Sequence, residues 1–228
     1  MKGSTRLLVT MAAAVGLTAC VLPLDVTIGD DEDVSIRGSG HVVTRSWTVG
    51  GFDAIHASGI GRVIVSRTGT EALTITGEDN ILSQLVIEVY DGTLNIGPRA
   101  GVSLSPKRSL TIRIEVKELS RIEGSGAVGL EAKLGSAETL RVTLSGASRL
   151  EAEGGLHVLD VRTSGASWFW GRNLTSRSAD VSASGAAAVV VSATERLHAT
   201  ASGVSSIRYT GSPTLRSNVS GLASVGPF

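Results

Sequence analysis

The sequence predicts an all-β protein, a right-handed parallel β-solenoid with coils of about 18–20 residues, and three observations carry that expectation. A Ser-Gly pair returns as Ser125-Gly126, Ser145-Gly146, Ser164-Gly165, Ser184-Gly185, Ser202-Gly203 and Ser220-Gly221, with spacings of 20, 19, 20, 18 and 18 residues. Such a period signals one supersecondary unit per repeat. Aligned on the serine, the flanking residues form apolar columns: Leu130, Leu150, Phe169, Val189, Ile207 and Val225 five positions after it, and Ile122, Val142, Val161 and Val181 three positions before it. Within a unit, apolar and polar residues alternate, as in Leu140-Arg141-Val142-Thr143-Leu144, which is the period of a half-buried strand.

A 20-residue unit of strand has a contour of about 66 Å, enough to circle a small coil and return one strand spacing, about 4.8 Å, higher. Each coil then pairs in parallel with the next, and the hand follows from the strong preference for right-handed strand crossovers. The Ser-Gly pair belongs at a corner, where glycine takes positive φ and the hydroxyl bonds local backbone. Ala127, Ala147, Ala166, Ala186, Val204 and Leu222, two positions after the serine, are expected to join the apolar columns of the core.

Taken in order, the chain begins with Lys2 and Arg6, an apolar run from Leu7 to Leu17, and small residues, the form of a secretory signal. The run ends in Leu17-Thr18-Ala19-Cys20, which resembles a bacterial lipobox, and Cys20 is the one cysteine in 228 residues. The resemblance implies cleavage after residue 19 and lipid, such as palmitate, on Cys20, which would anchor the mature chain to a membrane. Val21 after the cysteine, in place of aspartate, favours the outer membrane if the source is Gram-negative. Residues 20–37 hold Pro23 and the acidic run Asp30-Asp31-Glu32-Asp33, read as a solvated tether.

Residues 38–228 are expected to form one solenoid domain. Ser58-Gly59 is a further corner in the same register, with Ile55, Ile60 and Val63 in the apolar positions. Leu73-Thr74-Ile75 and Leu85 to Tyr90 read as strands, and Asp91-Gly92 as a hairpin turn. The stretch from Gly97 to Ser109, with Pro98 and Pro106, reads as a loop or irregular coil. Leu110 to Val116 alternates as another strand.

Gly51-Phe52-Asp53-Ala54-Ile55, then Leu73-Thr74-Ile75-Thr76-Gly77-Glu78-Asp79-Asn80, then Asp91-Gly92-Thr93-Leu94-Asn95-Ile96 and the Ser-Gly train together resemble the GIN domain, the head domain of auto-transporter adhesins, over residues 40 to 226. The resemblance implies a right-handed β-helix on a secreted or surface lipoprotein, and no catalytic residues. No stretch of this sequence reads as the series of ten-residue membrane strands that an auto-transporter barrel needs.

Outward positions are where chemistry would lie. Trp168 and Trp170 flank inward Phe169 and should face out together, one coil from Arg149 and Glu151. An exposed pair of this kind is a platform for a sugar ring, a lipid or a protein. A second outward column, Arg121, Arg141, Asp160, Asp180, His198 and Arg216, sets Asp160 one coil from Asp180, near the carboxylate spacing of retaining glycosidases, although nearby Arg141, Arg162 and His198 also make it a surface charge ladder. Four histidines and one cysteine show no metal-ligand spacing, so no metal or cofactor is expected. Twenty-one basic against 21 acidic residues leave no field for nucleic acid. The sequence therefore predicts a non-enzymatic, lipid-anchored, adhesin-like envelope protein that meets a glycan, an envelope component or a protein. A carbohydrate-active enzyme using Asp160 and Asp180, or a structural spacer, are the alternatives.

Overall fold

In the computed structural model the described residues are 34–228. They form β1 (Val34–Arg37), β2 (Val42–Trp47), β3 (Ala54–Ala57), β4 (Ile60–Arg67), β5 (Ala72–Glu78), a single helical turn α1 (Asp79–Leu82), β6 (Leu85–Tyr90), β7 (Thr93–Pro98), β8 (Val102–Ser105) and β9 (Thr111–Val116). There follow β10 (Arg121–Gly124), β11 (Ala127–Leu144), β12 (Arg149–Thr163), β13 (Trp168–Ala183), β14 (Ala188–Ala201), β15 (Ser206–Thr210), β16 (Thr214–Val219) and β17 (Ser224–Pro227).

These strands build the right-handed parallel β-solenoid that the period predicts. On one face, which we call the first, β7, β3, β10 and the later halves of β11 to β14 stack in parallel, with β16 last. On the second face β9, β4 and the earlier halves of β11 to β14 stack, followed by β15 and β17. The Ser-Gly pairs form one corner between the faces. Strands β11 to β14 run on unbroken from the second face round to the first, so one strand serves two sides of the coil.

The corner stacks on itself. Gly126, Gly146, Gly165, Gly185, Gly203 and Gly221 all take φ between 69° and 77°, and each carbonyl from Gly126 to Gly203 accepts the N–H of the residue after the next glycine up, as in Ala147 N to Gly126 O at 2.7 Å. The ladder therefore continues through the turn. A Cβ on Gly146 would lie 2.7 Å from Gly126 O, closer than carbon and oxygen can pack, so the tight rise requires glycine as well as the positive φ.

The column two positions after the serine departs from expectation. Ala127, Ala147, Ala166 and Ala186 are exposed, and Val204 and Leu222 are 66% and 83% exposed. The next position turns inward instead, occupied by Val128, Ser148, Ser167, Ala187 and Ser205. Its serines are buried at no net polar cost because each hydroxyl donates to a carbonyl inside the corner: Ser148 to Ser145 O at 2.8 Å, Ser167 to Ser164 O at 2.8 Å, Ser205 to Ser202 O at 2.9 Å. Otherwise the columns are as predicted, and one apolar core runs the length of the stack.

Unequal coil lengths are absorbed on the far side from the Ser-Gly corner. Register shifts fall between Lys133 and Ser136, between Glu151 and Glu153, and at Gly171 to Thr175 and Ser176 to Ser178. Bulges there accept one or more extra residues while the glycine column keeps its register.

The amino-terminal part is less regular than a train of coils. The coil carrying β7 and β9 lies beneath that of β3 and β4, although it follows it in the chain, and β10 and β11 then climb over β3 and β4. Beyond it the pairing turns antiparallel. Strand β6 pairs with β7 across the predicted turn, where Asp91 and Gly92 have φ 47° and 68°, and β5 lies antiparallel between β9 and β2. Within Gly97 to Ser109, expected as a loop or irregular coil, Val102–Ser105 forms β8 and pairs with β1. That partner comprises the last four residues of the acidic stretch 20–37. The buried Glu78 carboxylate ties this end together by accepting the N–H groups of Gly40, Lys107 (2.8 Å) and Arg108 (3.2 Å). Burial alone would raise its pKa, but these donors hold it below the usual carboxylate range.

Candidate functional site

The second face carries the aromatic pair because alternation along β13 turns Phe169 into the core and the residues on either side of it outward. The parallel register sets these against the coils below. Arg62, Gly129, Arg149 and Trp168 stand in one row across β4, β11, β12 and β13, while Glu131, Glu151 and Trp170 form the next.

Between the rows lies an open groove of about 340 Å³. Trp168, 38% exposed, borders it at one end. Arg62 and Glu131 border it at the other, joined by a two-pronged ion pair with Nε to Oε1 at 2.7 Å and Nη2 to Oε2 at 2.8 Å. Arg149 and Glu151 line its middle, and Gly61 and Gly129 contribute only backbone. Hydrogen bonding from Arg62 holds the Glu131 carboxyl below its ordinary pKa against a smaller opposing effect of burial, so that end of the groove keeps a fixed pair of opposite charges. Arg149 and Glu151 make no ion pair among the described residues.

Trp170 does not line the groove. Its ring lies 5.3 Å from that of Trp168 at 39°, and 5.3 Å from Phe228 in an edge-to-face contact at 82°. The Arg172 guanidinium sits 4.7 Å from the Phe228 ring centroid. The carboxyl-terminal residue thus covers part of Trp170, and Val190, the register neighbour of Trp170 on β14, is buried on what is otherwise an outer row. The structure brings Trp168, Arg149 and Glu151 together and makes Trp170 the support behind Trp168. Arg62 was absent from the sequence-based site, although it stands four positions after Ser58, in the same place as Arg149 after Ser145. Phe228 lies beyond the columns that the period defines.

Asp160 and Asp180 are register neighbours on the first face, as the spacing predicts, away from the groove. Arg141 Nε reaches Asp160 Oδ2 at 3.2 Å, Arg162 Nε reaches Oδ1 at 3.4 Å, and His198 Nδ1 lies 3.3 Å from Asp180 Oδ2. Both oxygens of Asp160 are occupied by guanidinium groups, the arrangement of a surface charge ladder. Among the described residues no cluster of three or more His, Cys, Asp or Glu side chains is placed to hold a metal ion. Cys20 and the run Asp30 to Asp33 lie outside the described residues.

Residues 51–213 match the family model described as "Putative auto-transporter adhesin, head GIN domain". The chain belongs to the GIN-domain family. Solved structures share the GIN-domain fold at low identity. A putative adhesin from Bacteroides fragilis NCTC 9343 superposes with a TM-score of 0.67 at 23% identity, covering 85% of this chain and 100% of that one. A putative lipid binding protein from Parabacteroides distasonis ATCC 8503 gives 0.53 at 20% identity, with 85% and 99% covered. A putative adhesin from Parabacteroides merdae ATCC 43184 gives 0.51 at 17%, with 86% and 99% covered. At these identities the likeness is one of fold. No curated protein matches this GIN-domain chain.

Proposed function

We propose that this GIN domain is a non-enzymatic binding module of the cell envelope, adhesin-like in role, and that it takes a glycan in the groove beside Trp168. The observation that carries this reading is the pairing of a partly exposed tryptophan with Arg149 and Glu151 along an open groove on a rigid sheet. An indole face stacks on the apolar face of a sugar ring, and charged groups a few ångströms away bind its hydroxyls. Trp170 supports the reading because its ring packs against that of Trp168 and is itself backed by Phe228, which lowers the entropy cost of binding. The engagement of both Asp160 oxygens favours a surface ladder over a hydrolytic pair.

In the same reading residues 1–19 are a signal peptide, Cys20 carries lipid, and residues 20–37 form a short acidic lead whose last four residues are β1. The solenoid then stands in the aqueous phase next to a membrane, with outer-membrane placement if the source is Gram-negative. The lipobox-like residues and the uniqueness of Cys20 support this. Cys20→Ser should shift the protein from the membrane to the soluble fraction and abolish incorporation of labelled palmitate in cells.

The binding test is a titration of tryptophan fluorescence against a panel of envelope and extracellular polysaccharides, with product masses read in parallel. We expect a saturable change with intact glycans and a loss of affinity of tenfold or more in Trp168→Ala, on the order of 1.4 kcal/mol, with an unaltered circular dichroism spectrum. New oligosaccharide masses that vanish in Asp160→Asn would replace the binding reading with a hydrolytic one. Binding that Trp168→Ala leaves untouched would sink the assignment of the groove.

A further inference from the structure

The two ends of the solenoid are finished differently. At the amino-terminal end the stack finishes in antiparallel strands, β6 paired only with β7 and β2 only with β5 among the described residues. At the other end β16 pairs only with β14, and β17 only with β15, among the described residues. Positions that are buried in the coil beneath, Leu197 and Ala201, correspond in β16 to Leu215 and Val219, which are 37% and 50% exposed. The outward corner residue also changes here, from alanine in four coils below to Val204 and Leu222 in the last two. Natural sheets protect such edges with charges, prolines or bulges. Strand β16 has six regular residues, no proline and one charge, Arg216.

We propose that this end docks on a second copy of the chain, edge to edge across a two-fold axis, through antiparallel pairing of β16 with the partner's β16 centred on Ser217. The sequence of β16 is self-complementary in that register. A two-fold antiparallel pair keeps inward residues opposite inward ones, so Leu215 meets the partner's Val219, and Val219 meets the partner's Leu215. On the outer surface Arg216 faces the partner's Asn218, and no two like charges are opposed. A slip of one residue would set Leu215 against Asn218 and lose both matches. The contact satisfies the open backbone edge, covers the exposed end of the core, and is isologous, the commonest form of protein self-association.

The test uses the full chain carrying Cys20→Ser, which removes its only thiol. Sedimentation equilibrium should show a dimer at micromolar concentration. Asn218 is exposed and its replacement leaves the folded coil intact, so Asn218→Arg, which opposes it to the partner's Arg216, should weaken the dimer at least tenfold. Asn218→Asp, which gives that arginine a carboxylate, should tighten it. Ser217→Cys should cross-link to itself under mild oxidation, because the register places the two Cα atoms about 4.5–5.5 Å apart, within disulfide range, whereas Arg216→Cys should not. A monomer at all concentrations, a dimer indifferent to both Asn218 variants, or Ser217→Cys that stays uncross-linked would each overturn the proposal.

Discussion

At Gly146 the backbone has φ 69° and the Gly126 carbonyl occupies the space a side chain would need. Gly146→Ala should therefore cost about 1–3 kcal/mol from backbone strain alone, with the steric overlap added. Gly155, which has open space around its Cα, should tolerate alanine within about 0.5 kcal/mol. Urea denaturation of the two variants decides the matter, and equal midpoints would contradict the stacked corner. This corner was legible in the sequence because the same backbone demand recurs in every coil. Which of its next two residues turns inward was not legible. Ala147 looks like core and Ser148 like surface, yet the order is reversed, because a serine that bonds a carbonyl within its own turn loses nothing by burial while an alanine at the bend gains little. The same holds at the groove. Trp168 and Arg149 share a column and could be joined on paper, but Phe228 reaches Trp170 from a position that no period marks.

Elements differ in how much variation they accept. The first face and the Ser-Gly corner are held in constant register, and the extra residues of β13 relative to β14 sit between Gly171 and Thr175. One alanine inserted after Asn173 should leave the β-sheet circular dichroism intact and lower Tm only slightly. The same insertion after Gly165 would put the residues from Trp168 to Gly171, Phe169 among them, on the wrong side of their sheet before any bulge could absorb it, and should abolish cooperative unfolding. Comparable melting curves would refute this division of the coil. Strand β8 illustrates a limit of pattern reading, since Val102-Ser103-Leu104-Ser105 alternates for only four residues between two prolines and is stabilised by β1, far away in sequence. Alternation in β5 likewise specifies its buried side, with Leu73 and Ile75 inward, but carries no information on whether its neighbours run parallel or antiparallel.

Across the whole molecule each coil rests on its neighbours, so stability should behave as a sum of coil and interface contributions. Removing residues 202–228 should leave a shorter folded solenoid with the β-sheet signal scaled to its length. Removing residues 54–67 should unfold the chain, because β3 and β4 support coils both above and below them. Both results can be read by circular dichroism and limited proteolysis; a truncated protein that unfolds as completely as the internal deletion would show that the stack is not modular.

A polypeptide that emerges amino-terminus first cannot wind this stack as a spool winds thread. Residues 54–67 leave the exit before either of the layers that enclose them, and the layer beneath them is supplied only when residue 116 has followed. Until then that stretch has edges with no neighbour, a window in which wrong partners compete. Past residue 133 the situation reverses: each new turn finds a finished template below it, and assembly can proceed at the pace of delivery.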